Sequence, residues 1–144
     1  MILNTSNFIK MNKTSIIVLL ILSTSLSLAS CKSGSSEKNI IILTTSNFVD
    51  ETSKGVVMVD FWATWCMPCK AMSPVIEEIA SQTIGKVKVG KVDIDQNGPL
   101  ANRFGIQSIP SVLIFKDGQL METFIGIQSK AALVNALSKY VSLQ

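Results

Sequence analysis

Trp65-Cys66-Met67-Pro68-Cys69-Lys70 sets two cysteines three residues apart, a spacing open to three chemistries: reversible thiol–disulfide exchange, a share in a metal site, or a fixed bridge. Residues three apart on a helix hold their Cβ atoms about 5–6 Å apart, close enough for a disulfide to close with little backbone movement. The apolar run Val56-Val57-Met58-Val59-Asp60-Phe61-Trp62 precedes the pair, and apolar residues at helical spacing follow it. The cysteines are therefore expected where a buried strand passes into a helix. Unpaired N–H groups and the helix dipole there favour a thiolate and lower its pKa below the free value of about 8.5. Cys66 is the expected nucleophile. Cys69, one turn further in, is the expected resolving thiol, placed to attack the mixed disulfide and release the reduced substrate.

A zinc site normally takes four ligands, whereas this chain has 3 cysteines and 0 histidines, so no metal is expected. The absence of histidine also removes Cys-His and Ser-His catalysis and imidazole pH switching. A purely structural bridge is the other reading open in an oxidising compartment. Yet so short a loop restricts the unfolded chain least, which makes stability a poor reason for it. Asp60 is the other residue that asks for a reason. A carboxylate inside a buried strand is costly to ionise, and its pKa should rise.

The positioning elements follow from periodicity. Ile40-Ile41-Ile42-Leu43 reads as a strand, and Thr44 to Ser46 as N-cap candidates for a helix carrying Phe48 and Val49. Val56–Trp62 is continuously apolar, as a central strand covered on both faces should be. Met72, Val75, Ile76, Ile79 and Ala80 predict a helix from the cysteines to about Thr83, kinked at Pro74. Val87, Val89 and Val92 alternate with Lys86, Lys88 and Lys91 in a third strand, and Pro99 to Phe104 predicts a short helix closed by Gly105. Ser111–Phe115 and Gln119–Ile125 flank a Lys116-Asp117-Gly118 turn. Ser129 caps a last helix expected to turn Ala132, Leu133, Ala136, Leu137 and Val141 inward. A mixed sheet between helices results.

The first 38 residues read as an address. Lys10 and Lys13 precede an apolar stretch from Ile16 to Leu28 that Ser and Thr interrupt, too short and broken for a membrane span of about 20 residues. Leu28-Ala29-Ser30-Cys31 resembles the lipobox of bacterial lipoproteins, in which the Cys sulfur accepts a diacylglyceryl group. Residues 1–30 are thus expected to be a lipoprotein signal peptide, starting at Met1 or Met11, with lipid attachment at Cys31. Several acyl chains exceed the one-chain limit of reversible anchoring and hold a protein on the membrane. Lys32 to Lys38 is polar and aperiodic, a flexible tether of about 15 Å reach, and completes a segment of residues 31–38. From Cys31 onward 11 Lys and Arg face 10 Asp and Glu. That balance gives no field able to hold nucleic acid.

Val59-Asp60-Phe61-Trp62-Ala63-Thr64-Trp65-Cys66-Met67-Pro68-Cys69-Lys70, then Val92-Asp93-Ile94-Asp95, then Gly105-Ile106-Gln107-Ser108-Ile109-Pro110-Ser111 together resemble thioredoxin, over a domain of residues 39–144. The resemblance implies an α/β fold with a five-stranded mixed sheet flanked by four helices and a cis Pro110 beside the cysteines. A cis proline there exposes the backbone of Ile109 for strand-like pairing with a substrate peptide. It implies that Asp60, directly or through a water, takes the proton of Cys69, and that Lys91 modulates Asp60 as its nearest charged neighbour. Trp65, Met67, Pro68, Ile109, Pro110 and Gly126, with Ile125 and Ile127 beside it, are the expected substrate-binding rim. Two positions depart from the family: Met67 and Ser108 stand where thioredoxins commonly have Gly, and residues between the cysteines tune the reduction potential.

The implied activity is that of a protein-disulfide reductase needing no cofactor beyond its own dithiol. Together with the address it implies a monomer on the periplasmic face of a bacterial membrane, supplied with electrons by a membrane thiol donor. Other readings are a disulfide-forming oxidase, although those commonly carry His between the cysteines, and a thiol reductase of cytochrome c maturation. A non-catalytic binding module or chaperone belongs to a different class.

Overall fold

A computed structural model describes residues 39–143. The expected signal peptide (1–30), the lipid-bearing Cys31 and the tether (32–38) lie outside the described residues. Among the described residues five strands, β1 (Ile40–Ile42), β2 (Val56–Trp62), β3 (Val87–Asp93), β4 (Ser111–Lys116) and β5 (Gln119–Ile125), are interspersed with four helices. These are α1 (Phe48–Thr52), α2 (Met67–Gln82), α3 (Gly98–Arg103) and α4 (Lys130–Ser138). The sheet runs β1-β3-β2-β4-β5. β1, β3 and β2 are parallel, and β4 pairs antiparallel with both β2 and β5, which makes the sheet mixed.

β2 is the middle strand, and its successive side chains point to opposite faces. Val56 and Met58 join Val89, Val112, Ile114, Met72, Ile76 and Leu133 in the core beneath α2 and α4. Val57, Val59 and Phe61 join Leu43, Phe48, Leu100, Leu113 and Phe115 in the core beneath α1 and α3. The same alternation sends Asp60 to the α2 side. Lys91 follows Val87 and Val89 by even steps on β3, so it reaches the same face, and the ladder pairs it directly with Asp60.

β3 also carries Gly90, whose position has a steric cause: a Cβ there would collide with the Leu43 side chain. Leu43, just past β1, packs its side chain into the space that a side chain at Gly90 would fill.

Several local details differ from expectation. Asn47, rather than Thr44 to Ser46, occupies the N-cap of α1, and its side chain makes no cap bond. Instead Asn47 Oδ1 accepts from the Thr44 N–H at 2.7 Å and Nδ2 donates to the Ile42 carbonyl at 3.0 Å, so it closes the strand end. α3 spans Gly98–Arg103, one residue earlier than the Pro99–Phe104 reading. On α4, Leu133, Ala136 and Leu137 are buried as expected, whereas Val141 lies past the helix end at Ser138 and packs partly buried against the core. Ala132 is exposed, because it lies off the stripe that those three residues define. α2 continues through Pro74 as one helix.

Candidate active site

β2 delivers the chain to the tip of α2, and Cys66 stands there as the N-cap residue. Its extended backbone lets the Sγ face the first turn, where it accepts the Cys69 N–H at 3.1 Å. Pro68 sits in the first turn, where its missing N–H costs no helical bond. Cys66 and Cys69 are joined in a disulfide with Cα atoms 5.3 Å apart. Cys66 retains 4% of its surface and Cys69 1%, so the two residues differ only slightly in burial in this oxidised state. Ala63 shares their cluster, and Trp62, Ile94 and Ile109 pack against it. Among the described residues no group of three or more His, Cys, Asp or Glu is placed to hold a metal ion.

Several of the residues expected at the rim face solvent. Trp65 is 63% and Met67 69% exposed, and Pro68 is exposed beside them. Ile125 and Ile127 are also exposed, with Gly126 half-buried between them. The Ile109-Pro110 peptide is cis. Pro110 is buried, so it lies under the rim and adds no exposed apolar surface to it. Its carbonyl accepts the Gly126 N–H at 2.8 Å. Gly126 takes φ +79° there, a conformation that side chains disfavour, and the bond brings its segment to the proline. Trp65, Ile94, Ile106, Gln107, Ser108 and Ile109 line an open groove of about 250 Å³ beside the disulfide.

Beneath the rim, Asp60 is 1% exposed. Burial raises its pKa from 3.8 to about 6, against the opposing pull of Lys91. Lys91 Nζ stands 3.6 Å from Asp60 Oδ2, and Asp60 Oδ1 has no hydrogen-bond partner among the described residues. Sequence reasoning missed two residues here. Asp95 accepts the Trp65 Nε1–H at 2.9 Å and so fixes the indole. It stood in a quoted motif, yet nothing in the spacing tied it to a residue 30 positions away. Ser73 accepts from Lys91 Nζ at 3.2 Å and donates to the Cys69 carbonyl at 3.2 Å. Its place one helical turn after Cys69 was the available signal. Cys31 lies outside the described residues, so the structure does not relate it to this site.

The comparisons with known proteins agree on one family. A family profile described as thioredoxin matches residues 39–139. The thioredoxin of Bacillus subtilis (strain 168) is 43% identical over 102 residues, which cover 71% of this chain and 98% of that protein. The thioredoxin of Listeria monocytogenes serovar 1/2a is 46% identical over 99 residues, 69% of this chain and 96% of the relative. Among solved structures, a point-mutant thioredoxin from Halobacterium salinarum NRC-1 superposes with a TM-score of 0.68 at 32% identity, covering 74% of this chain and 96% of its own. A thioredoxin of Malassezia sympodialis gives a TM-score of 0.64 at 36% identity, over 70% of this chain and 92% of its own.

Proposed function

This chain belongs to the thioredoxin family of thiol–disulfide oxidoreductases, and from that premise we propose that it reduces protein disulfides outside the cytoplasm while held to a membrane by lipid on Cys31. The observation that carries the redox part is the Cys66–Cys69 disulfide at the tip of α2, set among exposed apolar side chains.

In the reduced protein the Cys66 thiolate attacks one sulfur of a substrate disulfide. The electrons of the broken S–S bond leave on the other substrate sulfur, which takes up a proton. Cys69 then gives its proton to Asp60, directly or through a water, and attacks Cys66 Sγ. The second substrate sulfur departs as a thiolate and takes up a proton, Asp60 gives its own back, and two substrate thiols and the Cys66–Cys69 disulfide remain. Asp60 accepts a proton only as the carboxylate, so with a pKa of about 6 this step slows as pH falls through that value. Lys91 modulates the carboxylate by its charge at 3.6 Å. Trp65, Met67, Pro68, Ile109 and Gly126 receive the substrate peptide, with the buried Pro110 shaping the backbone beneath it, a role favoured by the exposed apolar patch. A membrane thiol donor restores the dithiol, because soluble cytosolic reductases do not reach the exported domain.

Three measurements test this. Insulin supplied with dithiothreitol should be reduced by the intact protein and not by Cys66→Ser; equal rates would reject catalysis at this pair. Equilibration with glutathione should give a potential near the reducing value of about −270 mV, whereas one near −120 mV would mark an oxidase. Fatty-acid label should appear on the full chain in a bacterial host and vanish in Cys31→Ser; label that persists would reject the anchor.

A further inference from the structure

Lys91 shares its ammonium among three groups. It donates to Ser73 Oγ at 3.2 Å, stands 3.6 Å from Asp60 Oδ2, and lies 4.8 Å from the Trp62 ring centroid. The Ser73 hydroxyl spends its proton on the Cys69 carbonyl, 3.2 Å away and four residues back. That bond fixes the hydroxyl against its own helix and turns its lone pairs toward the ammonium. The distance to Asp60 exceeds hydrogen-bond length, and Asp60 Oδ1 is left without a partner among the described residues. Lys91 therefore makes its shorter contact with the serine, and reaches the carboxylate mainly by charge with at most a long, weak hydrogen bond.

We propose that Ser73 is a positioning residue that holds Lys91 off Asp60, keeping the pair at ion-pair distance and thereby making Asp60 hold its proton more tightly. The consequence for turnover rests on the reading of Asp60 as proton acceptor; the positioning itself does not. A direct Lys91–Asp60 hydrogen bond would stabilise the carboxylate and weaken it as a base. The serine thus couples the turn of α2 that carries Cys69 to the basicity of the group expected to deprotonate it.

Other charges around Asp60 are accounted for. β3 presents Lys91 and β4 presents Val112 in the flanking registers. α2 contributes the turn of Cys69 and Ser73 and, one turn on, the half-buried Glu77, while its Lys70 and Glu78 are exposed. Lys130 of α4 pairs with Glu78, and Lys139 at its C-terminal end pairs with Glu122 of β5.

The test is a titration of the Asp60 side-chain carboxyl carbon by NMR in the oxidised protein, for the wild type, Ser73→Ala and Ser73→Thr. With the serine hydroxyl gone, Nζ closes on Oδ2 to hydrogen-bond length, and the midpoint should fall by about one pH unit. Ser73→Thr, which keeps the hydroxyl, should titrate like the wild type. A midpoint in Ser73→Ala that stays put or rises would overturn the proposal, as would a threonine variant that behaves like alanine. The pH dependence of mixed-disulfide resolution is followed separately in the reduced proteins. If Asp60 titrates lower in Ser73→Ala but resolution does not follow, the positioning holds and the proton-acceptor reading fails.

Discussion

The two faces of the sheet are built by one alternation along β2 and put to different uses. Beneath α1 and α3, the residues Val57, Val59 and Phe61 meet a core in which Phe48, Phe104 and Phe115 pack tilted or edge-to-face with centroids 5.0 to 5.5 Å apart. Beneath α2 and α4 the same strand offers Val56 and Met58 and then Asp60, buried with one oxygen unsatisfied among the described residues. The first face is consistent at every position with stability alone. The second gives up stability at one position, Asp60, where the proposed mechanism moves a proton. Among the described residues the unsatisfied buried oxygen lies on the face beneath the redox helix, so the fold reads as a scaffold on one side and a site on the other.

The largest expected effect lies on the aromatic face. Phe61→Ala should cost about 3–5 kcal/mol, from lost transfer energy and the cavity left behind, while the folded fraction keeps its rate of insulin reduction. Chemical denaturation together with activity per folded molecule checks this, and a specific loss of activity would blur the division between faces.

Asp60→Asn should act in the opposite sense. Folding raises the carboxyl pKa from 3.8 to about 6, so the folded protein binds this proton more tightly than the unfolded chain. Stability from this group therefore declines as pH rises from about 4 to about 6, and the full penalty is present above that window. The variant should gain about 2–3 kcal/mol at pH 7, little below pH 4, and lose speed in substrate release. Denaturation at the two pH values, with single-turnover kinetics, reads both effects; unchanged turnover would take Asp60 out of the mechanism.

Lys91→Met removes the charge that holds the Asp60 pKa down. The low-pH limb of the resolving step should move upward, and an unmoved limb would mean that the ion pair is silent. The smallest effect is expected far from the site. Ser129 Oγ accepts the Ala132 N–H at 3.2 Å at the start of α4, and Ser129→Ala should cost about 1 kcal/mol with no change in any pH profile.

What the sequence made legible, and what it hid, divides by the range of the cause. β2, β4 and β5 were readable because apolar runs and the Asp117-Gly118 turn are local, and the Ser129 cap because its bond spans three residues. The disulfide site was readable for the same reason: strand, cysteine spacing and helix adjoin one another along the chain. Thr44 to Ser46 misled as caps because the helix starts one residue later, after Asn47, whose side chain answers to the end of β1. Gly90 carries no local signal, because its reason is the Leu43 side chain lying against it. Ser73 and Asp95 escaped notice because each matters through a partner that only the folded sheet supplies, Lys91 for one and Trp65 for the other.

Cys66 at the tip of α2 is the point at which all of this becomes chemistry. Its alkylation rate, measured from pH 4 to pH 10 on the freshly reduced protein, should reach half its maximum well below the value of about 8.5 typical of a free thiol. A midpoint at or above that value would mean that the helix tip does not activate the sulfur, and the proposed exchange would lose its attacking group.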